Sequence, residues 1–143
     1  MCNCISEKVS FYAVLSSAIN GTYPGQTIVF DQITTNAGNA YNGTTGFFTA
    51  PVAGNYVFSV TILVQRSTLH TQSGAFQLRQ NGTVRLSLFA DTHQTDLDTA
   101  VVSGSAVLYL NIGDEVDVIG IDANLYIGGS QFKYSFFSGF LIG

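Results

Sequence analysis

The sequence predicts an all-β sandwich or jelly roll of about eight to ten short strands. The chain has 143 residues, of which 11 are Phe and 7 are Tyr, alongside many Val, Ile and Thr. Aromatic and β-branched side chains pack well on pleated strands. Fifteen glycines are spread along the chain and punctuate it with turns. Charged residues make up only 10% of the chain, which excludes the composition of a disordered protein.

Alternation of apolar residues and turn signals places the strands in order along the chain. The clearest alternation runs from Tyr56 to Val64, with every second residue apolar. Asn81-Gly82 separates two alternating runs and predicts a β-hairpin, because both residues tolerate positive φ. Strands are predicted at residues 11–15, 27–32, 47–50, 56–64, 76–80, 83–89, 105–110 and 115–121, and around the alternating Phe132, Tyr134 and Phe136.

Two carboxylates begin the strand predicted at 115–121. Glu115 and Asp117 alternate there with Val116 and Val118. Since successive side chains of a strand point to opposite faces, both carboxylates are predicted to lie on a solvated face.

Length and charge limit the domain organisation and the partners. A chain of this length predicts one domain, with residues 1–8 as a short tail and 9–143 as the globular part. A net charge of −4 with only 5 Lys and Arg does not supply the basic surface that nucleic acid requires. No apolar run approaches the ~20 residues of a membrane helix. The start of the chain lacks the pattern of a signal peptide, which leaves either a cytosolic chain or a mature form whose leader is gone.

Groups that could support catalysis are few. The chain contains two histidines and no G-x-S-x-G, H-E-x-x-H, P-loop or G-x-G-x-x-G pattern. His70 lies in the polar stretch 68–73, which predicts a surface loop. His93 lies in an acidic segment, where a solvated loop is favoured over a metal or acid–base role. The sequence therefore predicts a protein that is not an enzyme.

The acidic segment 91–98 is a candidate metal site. Asp91, Asp96 and Asp98 lie within eight residues of a predicted loop, and Ca²⁺ prefers carboxylate and carbonyl oxygens from such segments. The spacing is not that of an EF-hand. The alternative is an acidic surface loop without a metal.

Three Asn-Gly-Thr sequences, at 20–22, 42–44 and 81–83, match the N-glycosylation acceptor pattern. Each lies in a predicted turn, and turn geometry by itself favours Asn-Gly. The pattern is therefore explained with or without a sugar.

Cys2 and Cys4 are the only cysteines of the chain. They have no third cysteine or nearby histidine to complete a zinc site. In an extended tail their side chains point in opposite directions, which favours disulfides to other chains over a bond between the two. The alternative is a pair of exposed thiols.

The order of the motifs resembles the globular domain of complement C1q and its relatives. The resemblance rests on the run from Gly46 to Phe58, on Gly113-Asp114-Glu115, and on Phe-Ser-Gly-Phe-Leu at 137–141. It implies a tumour necrosis factor-like jelly roll of about ten strands that assembles as a tight homotrimer. It also implies calcium at Asp91 and Asp98, with Asp96 as the substitute, and cysteines that link chains.

The resemblance implies a secreted, non-enzymatic recognition module of innate immunity. Its ligands would be microbial glycans, lipopolysaccharide or protein surfaces. The alternatives are a trimeric signalling ligand for a specific receptor and a structural trimerisation head. Because ligand contacts come from exposed loops, the ligand-binding candidates are Arg66, His70, Asp122, Asn124 and Tyr126.

Overall fold

The computed structural model describes residues 8–65, 73–91, 99–122, 125–128 and 134–143, with Ser73 and Asp91 through their backbone only. These residues form strands and turns, and no helix of membrane-spanning length and hydropathy occurs among them. The strands are β1 (Ser10–Val14), β2 (Ile19–Asn20), β3 (Gln26–Thr27), β4 (Gln32–Ala37), β5 (Phe48–Thr49), β6 (Gly54–Gln65), β7 (Ser73–Gln80), β8 (Thr83–Asp91), β9 (Thr99–Leu110), β10 (Glu115–Gly120), β11 (Tyr126–Gly128) and β12 (Phe136–Leu141).

The strands form two antiparallel sheets, as the prediction of an all-β jelly roll requires. The seven-stranded sheet has the order β2-β11-β6-β12-β1-β4, and β9 pairs with the other side of β6. The five-stranded sheet has the order β3-β10-β7-β8, and β5 pairs with β10. Neighbours in both sheets are mostly distant in sequence, so the fold depends on long-range pairing.

The longest ladder joins β6 to β9 over 12 residues of each strand, from Gly54 opposite Leu110 to Gln65 opposite Thr99. The alternation predicted for β6 is confirmed: Tyr56, Phe58 and every second residue up to Val64 are buried.

The core lies between the sheets and is dominated by aromatic rings. Phe11 of β1 stacks on Tyr41 with centroids 4.6 Å apart and planes at 2°. Phe137 of β12 meets Phe11 edge to face at 4.9 Å. Phe48 packs against Phe58 in the same way at 5.2 Å. Offset-stacked and edge-to-face contacts of this kind add to the stability that burial provides.

The predicted strand at 27–32 is wrong in its middle. Strand β3 ends at Thr27 and β4 begins at Gln32. Between them, the backbone of Phe30 bonds the hydroxyl of Tyr41 instead of a neighbouring strand. Strand β4 itself was not predicted, because its sequence Gln-Ile-Thr-Thr-Asn-Ala is largely polar and mostly exposed.

The alternation predicted near the carboxyl terminus has the wrong phase. Tyr134 precedes β12 and is exposed, and Phe136 is half-buried. The inward residues are instead Phe137 and Gly139, because β12 pairs with β6 so that Gly139 lies opposite the buried Phe58. Phe132 lies outside the described residues.

Candidate functional site

Four strand ends define one end of the sandwich, here called the loop end. Gln65, the last residue of β6, pairs with Thr99, the first residue of β9. Ser73, the first residue of β7, pairs with Asp91, the last residue of β8. The connections from β6 to β7 and from β8 to β9 therefore start and finish at this end. The chain's described termini lie at the other end, where the N–H of Leu141 donates to the carbonyl of Val9.

Thr22 joins the connection that follows β10 at the loop end. Its hydroxyl donates to the carbonyl of Asp122 and accepts from the N–H of Leu125, both at 3.0 Å. The Asp122 carboxylate accepts a hydrogen bond from the N–H of Ala75 at 2.8 Å through Oδ2. Asp122 therefore has a structural contact in β7, while its Oδ1 accepts no hydrogen bond from the described residues.

The predicted ligand-binding residues fall into two groups. Asp122 and Tyr126 are described, and both are half-buried at the loop end, where Tyr126 pairs with Asn20 of β2. Arg66, His70 and Asn124 lie outside the described residues. The described strand ends still place the starting points of all these segments at the same end of the domain.

The calcium candidates belong to the β8–β9 connection. Asp91 is described through its backbone as the last residue of β8, whereas Asp96 and Asp98 lie outside the described residues, as do Cys2 and Cys4. Within the described ranges, no group of three or more His, Cys, Asp or Glu side chains could hold a metal ion.

The prediction of a solvated face for Asp117 is wrong. Asp117 is 1% exposed, whereas Glu115 is exposed as expected. The guanidinium of Arg79 on β7 donates to both Asp117 oxygens at 3.1 and 2.7 Å. The hydroxyl of Thr27 on β3 adds a third bond at 2.9 Å. Neighbouring strands thus cover the carboxylate, and the hydrogen bonds that Arg79 donates to Asp117 raise the pKa of Arg79.

Asp114 organises the end of the sandwich opposite the loop end. Its carboxylate accepts hydrogen bonds from the side chains of Asn81 and Gln80 and from the N–H of Asn111. The bond from Asn81, followed by those from Asn111 and Gln80, lowers the pKa of Asp114. These hydrogen bonds join the β7–β8 turn to the β9–β10 turn. Because the donors already hold the Asp114 carboxylate, it is not a free anionic site.

The outer face of the seven-stranded sheet carries exposed apolar side chains. Val107 and Tyr109 of β9 are 63% and 57% exposed, and Phe140 of β12 is 50% exposed. Val57 of β6 lies opposite Val107 on one side and Phe140 on the other. Directly opposed residues on one face are close enough to touch. We call Val57, Val107, Tyr109 and Phe140 the outer apolar patch.

Small hydroxyl residues continue this face towards the loop end. Ser59 of β6 lies opposite Ser105 of β9 and Ser138 of β12, and Thr61 lies opposite Ser103. Side chains this small leave the middle of the sheet accessible to another protein surface. Beyond them, Val101 is again exposed opposite Leu63.

The sequence prediction missed the outer apolar patch. Its signal was present, since residues 107–110 are apolar without interruption, which predicts a strand with two apolar faces. Only the register with β6 and β12 shows that Val107 and Phe140 flank Val57.

Two antiparallel sheets, a closed aromatic core and a loop end without a catalytic constellation in its described part define a jelly-roll domain of the C1q and tumour necrosis factor class. The chain belongs to the C1q domain family, whose sequence profile matches residues 10–142. The resemblance predicted from the sequence is confirmed.

Two relatives of known name are similar in sequence to this chain. Complement C1q tumor necrosis factor-related protein 2 of Mus musculus is 34% identical over 146 residues, covering 99% of this chain and 46% of the relative. The heavy metal-binding protein HIP of Mytilus edulis is 32% identical over 114 residues, covering 80% of this chain and 51% of the relative. The chain spans about half the length of these relatives.

Solved structures share the fold. The globular domain of zebrafish complement 1qA protein superposes with a TM-score of 0.74 at 26% identity, covering 95% of this chain and 98% of that one. The Eiger tumour necrosis factor of S. frugiperda superposes with a TM-score of 0.76 at 12% identity, covering 96% and 94%, which shows the fold alone.

Proposed function

We propose that the chain is a secreted, non-enzymatic recognition module that forms a homotrimer and presents its loop ends to patterned ligands. The observation that carries this proposal is the outer apolar patch. A fold of this class supports a ligand-binding or trimeric role, and the patch supports the outer face of the seven-stranded sheet as the surface that the copies bury.

The patch is better suited to a protein interface than to water. Val107 and Tyr109 on β9 and Phe140 on β12 are half or more exposed, and Val57 on β6 lies between Val107 and Phe140. Contiguous apolar surface of this kind marks interaction sites. Aromatic residues such as Tyr109 and Phe140 are enriched at the centres of interfaces, and charged residues are depleted there. Two further copies of the chain would cover this face in a trimer.

The ligands we propose are microbial glycans, lipopolysaccharide or protein surfaces, bound at the loop end. Asp122 contributes its Oδ1, which accepts no hydrogen bond from the described residues, and Tyr126 lies nearby in sequence on β11. Arg66, His70 and Asn124 lie outside the described residues, in connections whose described strand ends are at the loop end. The described cations do not form a basic surface there, because Arg79 and Arg85 flank the β7–β8 turn and Lys8 lies beside the described termini, all at the opposite end.

We further propose calcium as an ion bound by Asp91 and Asp98, with Asp96 as the substitute. Carboxylates grouped in one connection repel one another, and a divalent cation relieves that repulsion. Asp114 and Asp117 are not alternatives, because their oxygens already accept hydrogen bonds from neighbouring strands and turns. The name of the Mytilus edulis relative makes a soft divalent cation a useful comparison in the same titration.

The assembly is tested by sedimentation of the full chain. Wild type is expected as a trimer, and Val107→Asp as a monomer with unchanged circular dichroism, since a charge in the patch cannot be buried unpaired. Val84→Asp is the matched control, because Val84 is exposed on β8 of the other sheet. A monomeric wild type, or equal dissociation of both variants, would contradict the proposed interface.

Recognition is tested on an array of microbial glycans and lipopolysaccharides, with calcium and with a chelator. Wild type should bind more strongly than the monomeric Val107→Asp variant, because three sites act together. Asp91→Asn/Asp98→Asn should bind as wild type does in chelator. A trimer that binds nothing on the array would contradict the recognition role while leaving the assembly intact, and would favour a signalling or structural role.

A further inference from the structure

The three Asn-Gly-Thr sequences, all within the described residues, differ sharply in what their side chains contact. We propose that Asn42 is the attachment site of an N-linked oligosaccharide in the mature protein. The inference rests on the extracellular location in the proposed function, and it concerns a surface separate from both the outer apolar patch and the loop end.

Asn42 has its acceptor group exposed. Its Oδ1 accepts hydrogen bonds from the N–H groups of Thr44 and Thr45 at 2.8 and 3.2 Å, which holds the side chain in an Asx turn. Its Nδ2 donates to no described residue. The hydroxyl of Thr44, the third position of the acceptor sequence, is likewise without a partner among the described residues, and both side chains are exposed. Within the described part of the domain, the two groups that the modification needs are therefore without a hydrogen-bond partner.

Asn81 has both ends of its amide engaged. Its Oδ1 accepts from the N–H of Glu115 at 2.9 Å, and its Nδ2 donates to the carboxylate of Asp114 at 3.0 Å. These bonds join the hairpin turn to the β9–β10 turn. A sugar on Nδ2 would replace one of the two amide hydrogens directly beside the Asp114 carboxylate, so the glycan would compete with this junction.

The Asn20 site differs from the Asn42 site in the contacts of its third residue, Thr22. The hydroxyl of Thr22 is bonded to Asp122 and Leu125, and Thr22 is only 7% exposed. Asn20 itself lies in β2, paired with Tyr126 of β11. A glycan on Asn20 would lie beside a sheet edge, and the Thr22 hydroxyl of its acceptor sequence is already buried in the fold.

Space around Asn42 supports the assignment. Asn42 and Gly43 line an open cleft of about 590 Å³ whose other walls include Asn39 and Pro51. The cleft has no charged side chain in its lining. Neutral amide and apolar walls are compatible with the hydroxyl groups and the carbon skeleton of the first sugars.

The modification balances as a group transfer. A bond forms between Nδ2 of Asn42 and the anomeric carbon of an oligosaccharide. The bond from that carbon to the diphosphate oxygen of a lipid-linked donor breaks, and lipid diphosphate leaves with the electron pair. Nδ2 loses one proton to a base of the transferase.

The test is a site map of the full chain secreted from insect cells behind a leader supplied by the expression vector. Glycans are released enzymatically in heavy-oxygen water and the peptides analysed by mass spectrometry. The label separates former glycan sites from the spontaneous deamidation to which Asn-Gly sequences are prone. We expect Asn42 to be occupied, and to be occupied more fully than Asn81 and Asn20.

Two variants make the assignment specific. Thr44→Ala should lose the glycan mass while keeping the Asn42 turn, and Asn42→Gln should lose it as well. Asn81→Gln should retain it. An unmodified Asn42 in folded, secreted protein, or higher occupancy at Asn81 or Asn20, overturns the proposal. Because the leader is supplied and neither assembly nor ligand binding is measured, failure here is distinct from failure of the proposed recognition role.

Discussion

The hydroxyl of Tyr41 serves the backbone of Phe30 in both directions, donating to its carbonyl at 2.8 Å and accepting from its N–H at 3.2 Å. A single side chain thus does for Phe30 what a neighbouring strand would otherwise do. Burial of the ring raises the pKa of Tyr41 well above its usual range, so the hydroxyl keeps its proton. The side-chain amide of Asn36 holds Tyr41 in place: its Nδ2 donates to the Tyr41 carbonyl, and its Oδ1 accepts from the Tyr41 N–H.

Tyr41→Phe should lower the free energy of unfolding by about 1–3 kcal/mol, because it leaves buried backbone groups of Phe30 without a partner. The ring stack on Phe11 would remain, so the loss reports the hydroxyl alone. Chemical denaturation measures it. Tyr23→Phe is the matched control, since Tyr23 is exposed. If Tyr41→Phe were as stable as Tyr23→Phe and wild type, this role for the Tyr41 hydroxyl would be contradicted.

Arg79→Leu should destabilise the domain by about 3–5 kcal/mol, because it leaves the buried Asp117 carboxylate with the Thr27 hydroxyl alone. Arg85→Leu should cost much less, since Arg85 is exposed. The double variant Arg79→Leu/Asp117→Leu should be more stable than Arg79→Leu, because no unpaired charge remains. A double variant less stable than Arg79→Leu would show that burial of the carboxylate is not the source of the loss.

Gly139→Ala should lower stability by about 1–3 kcal/mol through overpacking. A Cβ at Gly139 would lie 2.7 Å from a ring atom of Phe58 and 2.8 Å from one of Phe11, both inside the core. Gly120→Ala is the comparison, since its Cβ would meet its nearest neighbour, Ile28, at an ordinary 3.7 Å. Thermal unfolding of the two variants decides the matter, and similar melting temperatures would contradict the close packing at Gly139.

Asp31 should make stability depend on pH in the acidic range. Burial alone would raise its pKa, but hydrogen bonds from the hydroxyl and N–H of Ser16 outweigh burial and lower it. A lowered folded pKa means that the contribution is complete above the unfolded value of ~3.9 and is lost as pH falls through the folded value. The stability difference between wild type and Asp31→Asn should therefore be constant above about pH 5 and shrink as the pH falls below about 4. Ser16→Ala should follow the same trend, and a difference independent of pH would exclude the linkage.

The strands could be predicted where burial is one-sided and the residues are strong strand formers. Alternation identified β6, and Asn81-Gly82 identified the β7–β8 hairpin, because both signals are local. The extent of β9 was underestimated, since Ser103, Gly104 and Ser105 weaken the apolar pattern. A residue larger than glycine at 104 would crowd the other sheet, because a Cβ there would lie 2.7 Å from a Leu88 methyl group. No local pattern encodes this contact between the two sheets.

The sequence by itself determined the all-β class, the family resemblance and the chain segments that carry the ligand-binding candidates, because composition, alternation and turn chemistry act over a few residues. Tertiary structure alone decided that Asp117 is buried with Arg79 and that Val57, Val107 and Phe140 form one patch. It also decided that Nδ2 of Asn81 donates to Asp114, whereas Nδ2 of Asn42 donates to no described residue. Each of these depends on which distant strand or turn lies opposite. In a fold built from pairing between remote segments, register sets that partner, and register follows from the packing of the whole core.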